Sequence, residues 1–473
     1  MKTQDNQKDN TYIKNHTFDE IKIGDKAHLT RVLTWKDIEL FAIMSGDVNP
    51  AHVDKNFAKS DVFRKVIAHG MWGGSLISTV LGTELPGPGT IYLEQSLKFL
   101  HPVGVGDTIT VMVEVTKKDI KNHHVILQCQ AVNQDDKVVI DGTARVIAPV
   151  KKIRRRRVKL PTVELVDSGR YLHAYIAQAQ RCSPLKVAVV HPVDPLSLQG
   201  AIQAAEAGLI IPALVGPEHK IVAAAEKSGI DLSPYEVITT QHSHEAAQQA
   251  VELARQGQVD ALMKGSLHTE EFMLAILDRN KGLRTERRMS HVFVVDLPAY
   301  EKPIFITDAA INVAPTIEEK RDIIQNAIDL VISLGIKKPR VAILSAVESV
   351  TARIPSTIEA AALCKMADRG QISGGTLDGP LGYDNAVSQE AAQIKGIQSH
   401  VAGQADILVV PDLESGNMLA KQLEYLAKAE VAGIVLGAKV PIILTSRADK
   451  PLFRLASSAL AVIYAMKKGQ LTI

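Results

Sequence analysis

The feature that most constrains this chain is a change in hydrophobic periodicity around PVKKIRRRRVKLP, Pro149 to Pro161. Before it, apolar residues alternate with period two, as in TITVMVEVT (Thr108 to Thr116), in His124 to Val132 and in Val138 to Val146, the last two separated by NQDDK. That pattern predicts antiparallel strands and a hairpin. After it, short apolar runs alternate with helical segments. Strands are expected at Leu185 to Val190, Ile210 to Val215, Val259 to Met263, His291 to Val295, Arg340 to Ser345, Ile407 to Val410 and Val440 to Leu444. Such alternation predicts an α/β layer with a largely parallel sheet covered on both faces. No single core accommodates both patterns, and 473 residues exceed one ordinary domain. The expected division is residues 1–150, a basic linker at 151–165 and residues 166–473.

Composition excludes several classes. The net charge of +2 argues against a general nucleic-acid or membrane-surface binder. The linker carries seven basic residues and no acidic one. It is open to a nucleic-acid or lipid contact, to a phosphorylated ligand docking nearby, or to plain solvation, which the neutral total favours. Cys129, Cys182 and Cys364 are far apart and form no CxxC pair, so neither a disulfide framework nor a zinc finger is expected. The first residues lack an apolar signal segment. The longest apolar run, VAGIVLGAKVPIILTS, is broken by Lys439 and Pro441, short of the about 18 residues of a membrane span. A cytoplasmic protein is expected. Met71 to Leu81 (MWGGSLISTVL) is apolar on nearly every side and reads as a helix buried beneath the strands.

FAIMSGDVNPAHVD, Phe41 to Asp54, sets an acid and an imidazole on one stiff turn. Pro50 keeps Asn49 out of the helical region, and Gly46 allows a sharp bend. Asp47 and His52 held together can share acid–base work on a water molecule; an Asx-type turn with an incidental histidine is the plain alternative. This motif, with VIAHGMWGGSLIS and GTIYLEQSLKFLHPVGVGDT, resembles the MaoC-type (R)-specific enoyl-CoA hydratases. The resemblance implies a hotdog fold of α+β class, with Asp47 and His52 hydrating an enoyl thioester. It also implies oxyanion donors near Gly70 and Met71, support from Ser78, and a structural His69.

VPIILTSRADK ends an apolar strand in a hydroxyl, a guanidinium and a carboxylate, where open α/β sheets bind ligands; a helix cap is the plain alternative. No Walker loop or GxGxxG occurs, which disfavours a nucleotide-dependent dehydrogenase. From about Leu185 onward the chain resembles the phosphate acetyl/butyryltransferases. The stretches that carry this include SHVFVVDLP, TDAAINVAPT, LDGPLGYDNAVS, PDLESGN and AGIVLGAKVPIILTSRAD. The resemblance implies a two-lobed, isocitrate dehydrogenase-like α/β fold and reversible acyl exchange between coenzyme A and inorganic phosphate. No permanent cofactor or metal is implied, and a homo-oligomer is expected. Arg447 would grip phosphate and Ser446 the tetrahedral oxygen. Asp449 follows the butyryl-type pattern, because Phe453 stands where the acetyl branch has an acid. Lys264 and Arg284 are further cation candidates, and Asp378, Asp384 and Asn417 candidates for the cleft. Two other readings remain: a non-catalytic acyl-CoA-binding domain, and an isocitrate dehydrogenase-like enzyme, for which the metal-binding carboxylates are lacking.

Overall fold

The structure, a computed structural model, describes residues 11–163, 165, 168–444 and 449–467. The chain divides into two compact units, Met1–Leu165 and Val166–Ile473.

The first unit contains β1 (Tyr12–Lys14), β2 (Lys26–Val32), β3 (Ile91–Phe99), β4 (Thr108–Asp119), β5 (His124–Val132), β6 (Val138–Ile147) and β7 (Arg154–Arg156). Four short helices interrupt them: α1 (Trp35–Ser45), α2 (Pro50–Val53), α3 (Lys55–Ser60) and α4 (Gly70–Thr83). Five strands form an antiparallel sheet in the order β2-β4-β5-β6-β3. Alternate residues of β4 and β5, such as Val111, Val113, Leu127 and Cys129, are buried with Trp72, Leu76, Ile77 and Val80 of α4. Register shifts in β3, β4 and β6 let the sheet curl. At Gly142 of β6 any Cβ would lie 1.9 Å from the Ser96 carbonyl oxygen, so only glycine permits this strand approach.

Two expectations change here. Helix α4 is not buried all round: Met71, Ser75, Ser78 and Thr79 are exposed, on the side away from the sheet. The basic stretch is also not wholly a solvated linker, because Arg154–Arg156 pair with Tyr12–Lys14. Asn15 fastens this ribbon: its Oδ1 accepts from Ile153 N at 2.8 Å and its Nδ2 donates to Lys151 O at 2.8 Å. The arginine side chains stay in solvent, so the pairing is made by the backbone.

The second unit is built on β8 (Leu185–Val190), β9 (Ile210–Gly216), β10 (Glu236–Thr239), β11 (Ala261–Lys264), β12 (Ser290–Asp296), β13 (Ile304–Thr307), β14 (Arg340–Leu344), β15 (Thr376–Leu381), β16 (Ile407–Val409), β17 (Glu430–Leu436) and β18 (Ile442–Ile443). They make one sheet in the order β10-β9-β8-β11-β18-β17-β12-β13-β16-β14-β15. The sheet is mixed rather than uniformly parallel. A parallel block from β10 to β18 and another from β13 to β15 are joined by antiparallel steps at β18/β17, β17/β12 and β12/β13. Alternate residues of β8 enter different core clusters, Val187 and Val189 one, Ala188 and Val190 the other, so helices cover both faces. A more thoroughly enclosed helix is Pro451–Lys467, buried without a gap from Ala456 to Ala465, its two serines included.

His291 sits in β12 between two antiparallel neighbours, with a fully enclosed ring whose Nδ1 has no hydrogen-bond partner. Burial pushes its pKa down to about 3. The unfolded chain therefore takes up a proton below about 6.5 that the folded chain refuses. Stability conferred by a neutral His291 is present above that value and falls as pH drops toward 3. Urea unfolding between pH 6 and 4 should steepen by up to about 1.4 kcal/mol per pH unit in the wild type relative to His291→Leu. Parallel pH slopes would refute this.

Candidate functional sites

In the first unit, Thr34 and Asp37 cap α1 reciprocally, and Gly46 ends it at φ 74°. The chain then enters a run of Asx-type bonds. Asp47 Oδ1 accepts from Asn49 N at 3.2 Å, and Asn49 Oδ1 accepts from Ala51 N at 3.1 Å, with Pro50 opening α2. The turn anticipated as the plain alternative is therefore present, and it is what holds Asp47 and His52 together.

Two backbone carbonyls fix the histidine tautomers. His52 Nδ1 lies 2.9 Å from Ile67 O, and His69 Nε2 lies 3.0 Å from Asp47 O. A carbonyl oxygen only accepts, so both nitrogens carry hydrogen, leaving lone pairs on His52 Nε2 and His69 Nδ1 when the rings are neutral. The rings stack with centroids 4.0 Å apart. One donor atom each from Asp47, His52 and His69 lies within 4.8 Å of the other two. No direct bond joins the Asp47 carboxylate to His52, a spacing that suits a shared water molecule.

Beside this group is a cavity of about 370 Å³, mainly apolar, lined by His52, His69, Gly70, Trp72 and Phe99 among others. Gly70 opens α4, whose first N–H groups have no side-chain cap. Uncapped N–H groups at a helix start are donors for a developing negative charge. A Cβ on Gly70 would stand 3.0 Å from the Phe99 ring, so the absent side chain keeps this corner open. His69, read as structural, is the N-cap residue of α4 and a wall of the cavity. Ser78 lies two turns further along α4, exposed and outside the cavity lining.

In the second unit, Ser446 and Arg447 lie outside the described residues. β18 runs parallel to β11 with Ile443 beside Met263, so Lys264 follows at the same strand ends as Leu444. Lys264 is buried at 8% exposure and donates to Gly265 O at 3.4 Å. Sequence reasoning missed its neighbours. His191 Nδ1 donates to Ser266 O at 2.9 Å, and Arg454 Nη1 donates to Leu196 O at 2.6 Å. Burial acts against the Asp194 carboxylate, but hydrogen bonds from Ser197 and Ser266 outweigh it and hold its pKa below the ordinary range. The signal was present in HPVDP, a polar turn directly after the LKVAVV strand. Asp449 is half-buried beyond the same strand end.

Arg284 belongs to the opposite end. It bridges Ala438 at the turn between β17 and β18 and is exposed. There a second polar network holds Asp308, whose carboxylate accepts from Ala310 N, Ile311 N and Asn312 N at 3.0, 3.1 and 3.2 Å. Burial nevertheless raises its pKa above the ordinary value. Asn417 Nδ2 donates to Ala309 O at 3.2 Å and so braces this loop. Asp384 is exposed and paired with Lys395 at 3.1 Å; that hydrogen bond lowers its pKa. Asp378, on edge strand β15, accepts from Gly379 N at 2.8 Å. The five candidates thus fall into separate places: Lys264 at the end of β11, Arg284 and Asn417 at the other strand ends, and Asp378 and Asp384 around β15. Phe453, the residue in place of an acid, is buried in the core against Gly433.

Residues 20–135 match the family model described as MaoC like domain, and residues 239–462 the one described as phosphate acetyl/butaryl transferase. A phosphate acetyltransferase of Rhizobium meliloti is 60% identical over 62% of this chain and 93% of its own length. A phosphate butyryltransferase of Clostridium acetobutylicum is 41% identical over 60% of this chain and 94% of its own length. The solved branched-chain phosphotransacylase of Enterococcus faecalis superposes with a TM-score of 0.53 at 30% identity, covering 59% of this chain and 99% of that one. With most of the length of such relatives contained in its second unit, the chain belongs to the phosphate acetyl/butyryltransferase family and carries a MaoC-like domain ahead of the transferase.

Proposed function

We propose that the chain is a bifunctional acyl-CoA enzyme. The first unit hydrates a 2-enoyl-CoA to the (R)-3-hydroxyacyl-CoA, and the second exchanges an acyl group between coenzyme A and inorganic phosphate. The hydratase reading is carried by one observation: the acid–imidazole turn and the open start of α4 meet at the same apolar cavity. The attacking water gives a proton to the Asp47–His52 pair, with His52 Nε2 as the lone pair on offer. Its oxygen bonds to Cβ, and the pair returns a proton to Cα. Negative charge collecting on the thioester oxygen meets the N–H groups at Gly70 and Met71, a contact worth roughly 3 kcal/mol in comparable sites.

In the second unit, a phosphate oxygen attacks the acyl carbonyl carbon and the thiolate of coenzyme A departs. Arg447 grips phosphate with two N–H donors, Ser446 donates to the tetrahedral oxygen, and Asp449 exchanges the thiol proton. Lys264, beside the same strand end, adds positive charge. The binding-only alternative drew on the missing acid at 453. Phe453 is a core residue, so the absence of an acid there gives that alternative little support. The higher identity to the acetyl-named relative favours a short acyl chain. A cytoplasmic homo-oligomer completes the reading; Ile91, Leu93 and Phe99 on the sheet-edge strand β3 supply exposed apolar surface for self-association. Among the described residues no helix is long and apolar enough to cross a membrane.

Asp47→Asn should lower crotonyl-CoA hydration at least 100-fold and leave phosphate-dependent CoA release unchanged. Hydration at the wild-type rate would remove the catalytic assignment. In the second unit, Arg447→Ala should raise the phosphate KM or lower kcat at least tenfold with acetyl-CoA. Unchanged constants would reject Arg447 as the phosphate ligand. No CoA release by the wild type with acetyl-, propionyl- or butyryl-CoA would leave the second unit a binding domain.

A further inference from the structure

We propose that Asp47, His52 and His69 form a binding site for a divalent cation of the zinc class, and that its occupation shuts off hydration. The binding half stands apart from the hydratase reading; the inhibitory half rests on it. Three features point to a cation. First, the residue types are two imidazoles and a carboxylate, each offering one donor atom within 4.8 Å of the others. Second, His69 is 3% exposed, and its Nδ1 is a buried polar atom with no hydrogen-bond partner. A buried lone pair left unanswered is costly, and a cation would answer it.

Third, the outer partners that metal-binding histidines require are already in place. His52 donates its other ring N–H to Ile67 O and His69 donates its own to Asp47 O. Such backbone partners fix which ring nitrogen carries hydrogen, leaving His52 Nε2 and His69 Nδ1 as the ones able to bind an ion, and raise their basicity. The Asp47 loop is thereby tied to one of the histidines it would serve with. Zinc bonds of about 2.0–2.1 Å place tetrahedral donors roughly 3.4 Å apart, so the group must contract on binding. Asp47 is the part free to move: it is exposed, and its carboxylate is held only by the 3.2 Å bond from Asn49 N. The cavity against His52 and His69 gives the ion a route in and leaves room for water as a further ligand.

Inhibition follows from electron-pair bookkeeping. Hydration needs the His52 Nε2 lone pair to accept a proton, and a lone pair donated to a metal cannot do so. The cation and the reaction therefore compete for the same atoms. Cobalt(II) titrated into the full chain is the probe. One equivalent should produce visible absorption bands of low-coordinate cobalt, and zinc should displace it. Affinity should fall at least tenfold in both His69→Ala and Asp47→Asn, with circular dichroism confirming that each variant folds. Absent bands, or wild-type titrations in both variants, would overturn the site. In parallel, zinc should abolish crotonyl-CoA hydration reversibly to a chelator while phosphate-dependent CoA release continues. Hydration that persists with cobalt bands present would overturn the inhibitory half. If the wild type hydrates nothing, the catalytic reading fails while the cobalt titration still decides the cation site.

Discussion

The architecture of the larger unit depends on one pairing, the seven-residue antiparallel ladder between β12 and β17. Without it the sheet would fall into two, β10 to β17 and β12 to β15, each with an exposed edge at what is now the centre. With it, the two parallel blocks run in opposite directions within a continuous sheet. Strand ends that bind ligands then emerge at both edges of the layer. This decides which polar residues can cooperate. Lys264, His191 and Ser266 stand at the ends of β8 and β11, the same end at which β18 finishes. Arg284, Asp308 and Asn417 stand at the ends of β13 and β17. A list of conspicuous cations and acids does not contain that division; only the strand directions do.

The smaller unit depends on weaker but more local constraints. Its Asx turns hold a proline-stiffened loop, and two carbonyls choose the tautomers of two histidines. The hydrogen bond from His69 to Asp47 O is important because it joins three things. His69 is the N-cap residue of α4, its ring packs at a tilt against His52, and it holds the backbone of Asp47. Position and tautomer are thus set by the same contacts.

Much of this was legible in the sequence where periodicity and burial agree. β4, β5, β6 and β8 alternate or run apolar as their positions demand, and their limits were read within a few residues. β2 and β3 escaped notice because they are edge strands with mostly exposed side chains, which removes the alternation that reveals a strand. The run VAGIVLGAKVPIILTS was read as broken at Lys439 and Pro441, with a strand expected only at Val440 to Leu444. It is two strands, β17 and β18, meeting at a turn that opens at Gly437, φ 89°. Helix α4 misled in the other direction: glycine, serine and threonine on its outer side passed for apolar. The turn that holds Asp47 and His52 was legible because its Asx bonds are local, whereas Gly70 followed from the resemblance and the start of α4. Ser78 was carried over from resemblance alone, and the helix turns it away from the cavity. His191 and Asp194 were missed because their importance comes from strand order, which no local pattern records.

Phe453 shows how a motif mismatch can mislead when read in one dimension. Counting residues from Ser446 suggests that a catalytic acid has been lost. The structure instead places Phe453 among Val295, Ile304 and Val431, with Arg454 beside it reaching back to Leu196. A carboxylate at 453 would be desolvated in an aliphatic core, where it would be protonated rather than poised as a base. Under the proposed acyl transfer, the proton carrier for coenzyme A is then sought among other carboxylates of the second unit. Asp449 is half-buried, and Asp194, whose carboxyl is held below the ordinary range by hydrogen bonds from Ser197 and Ser266 that outweigh its burial, is at the end of β8. The change at 453 moves the search for the acid and does not remove the need for one. Phe453 also anchors the first turn of helix Pro451–Lys467 in the core.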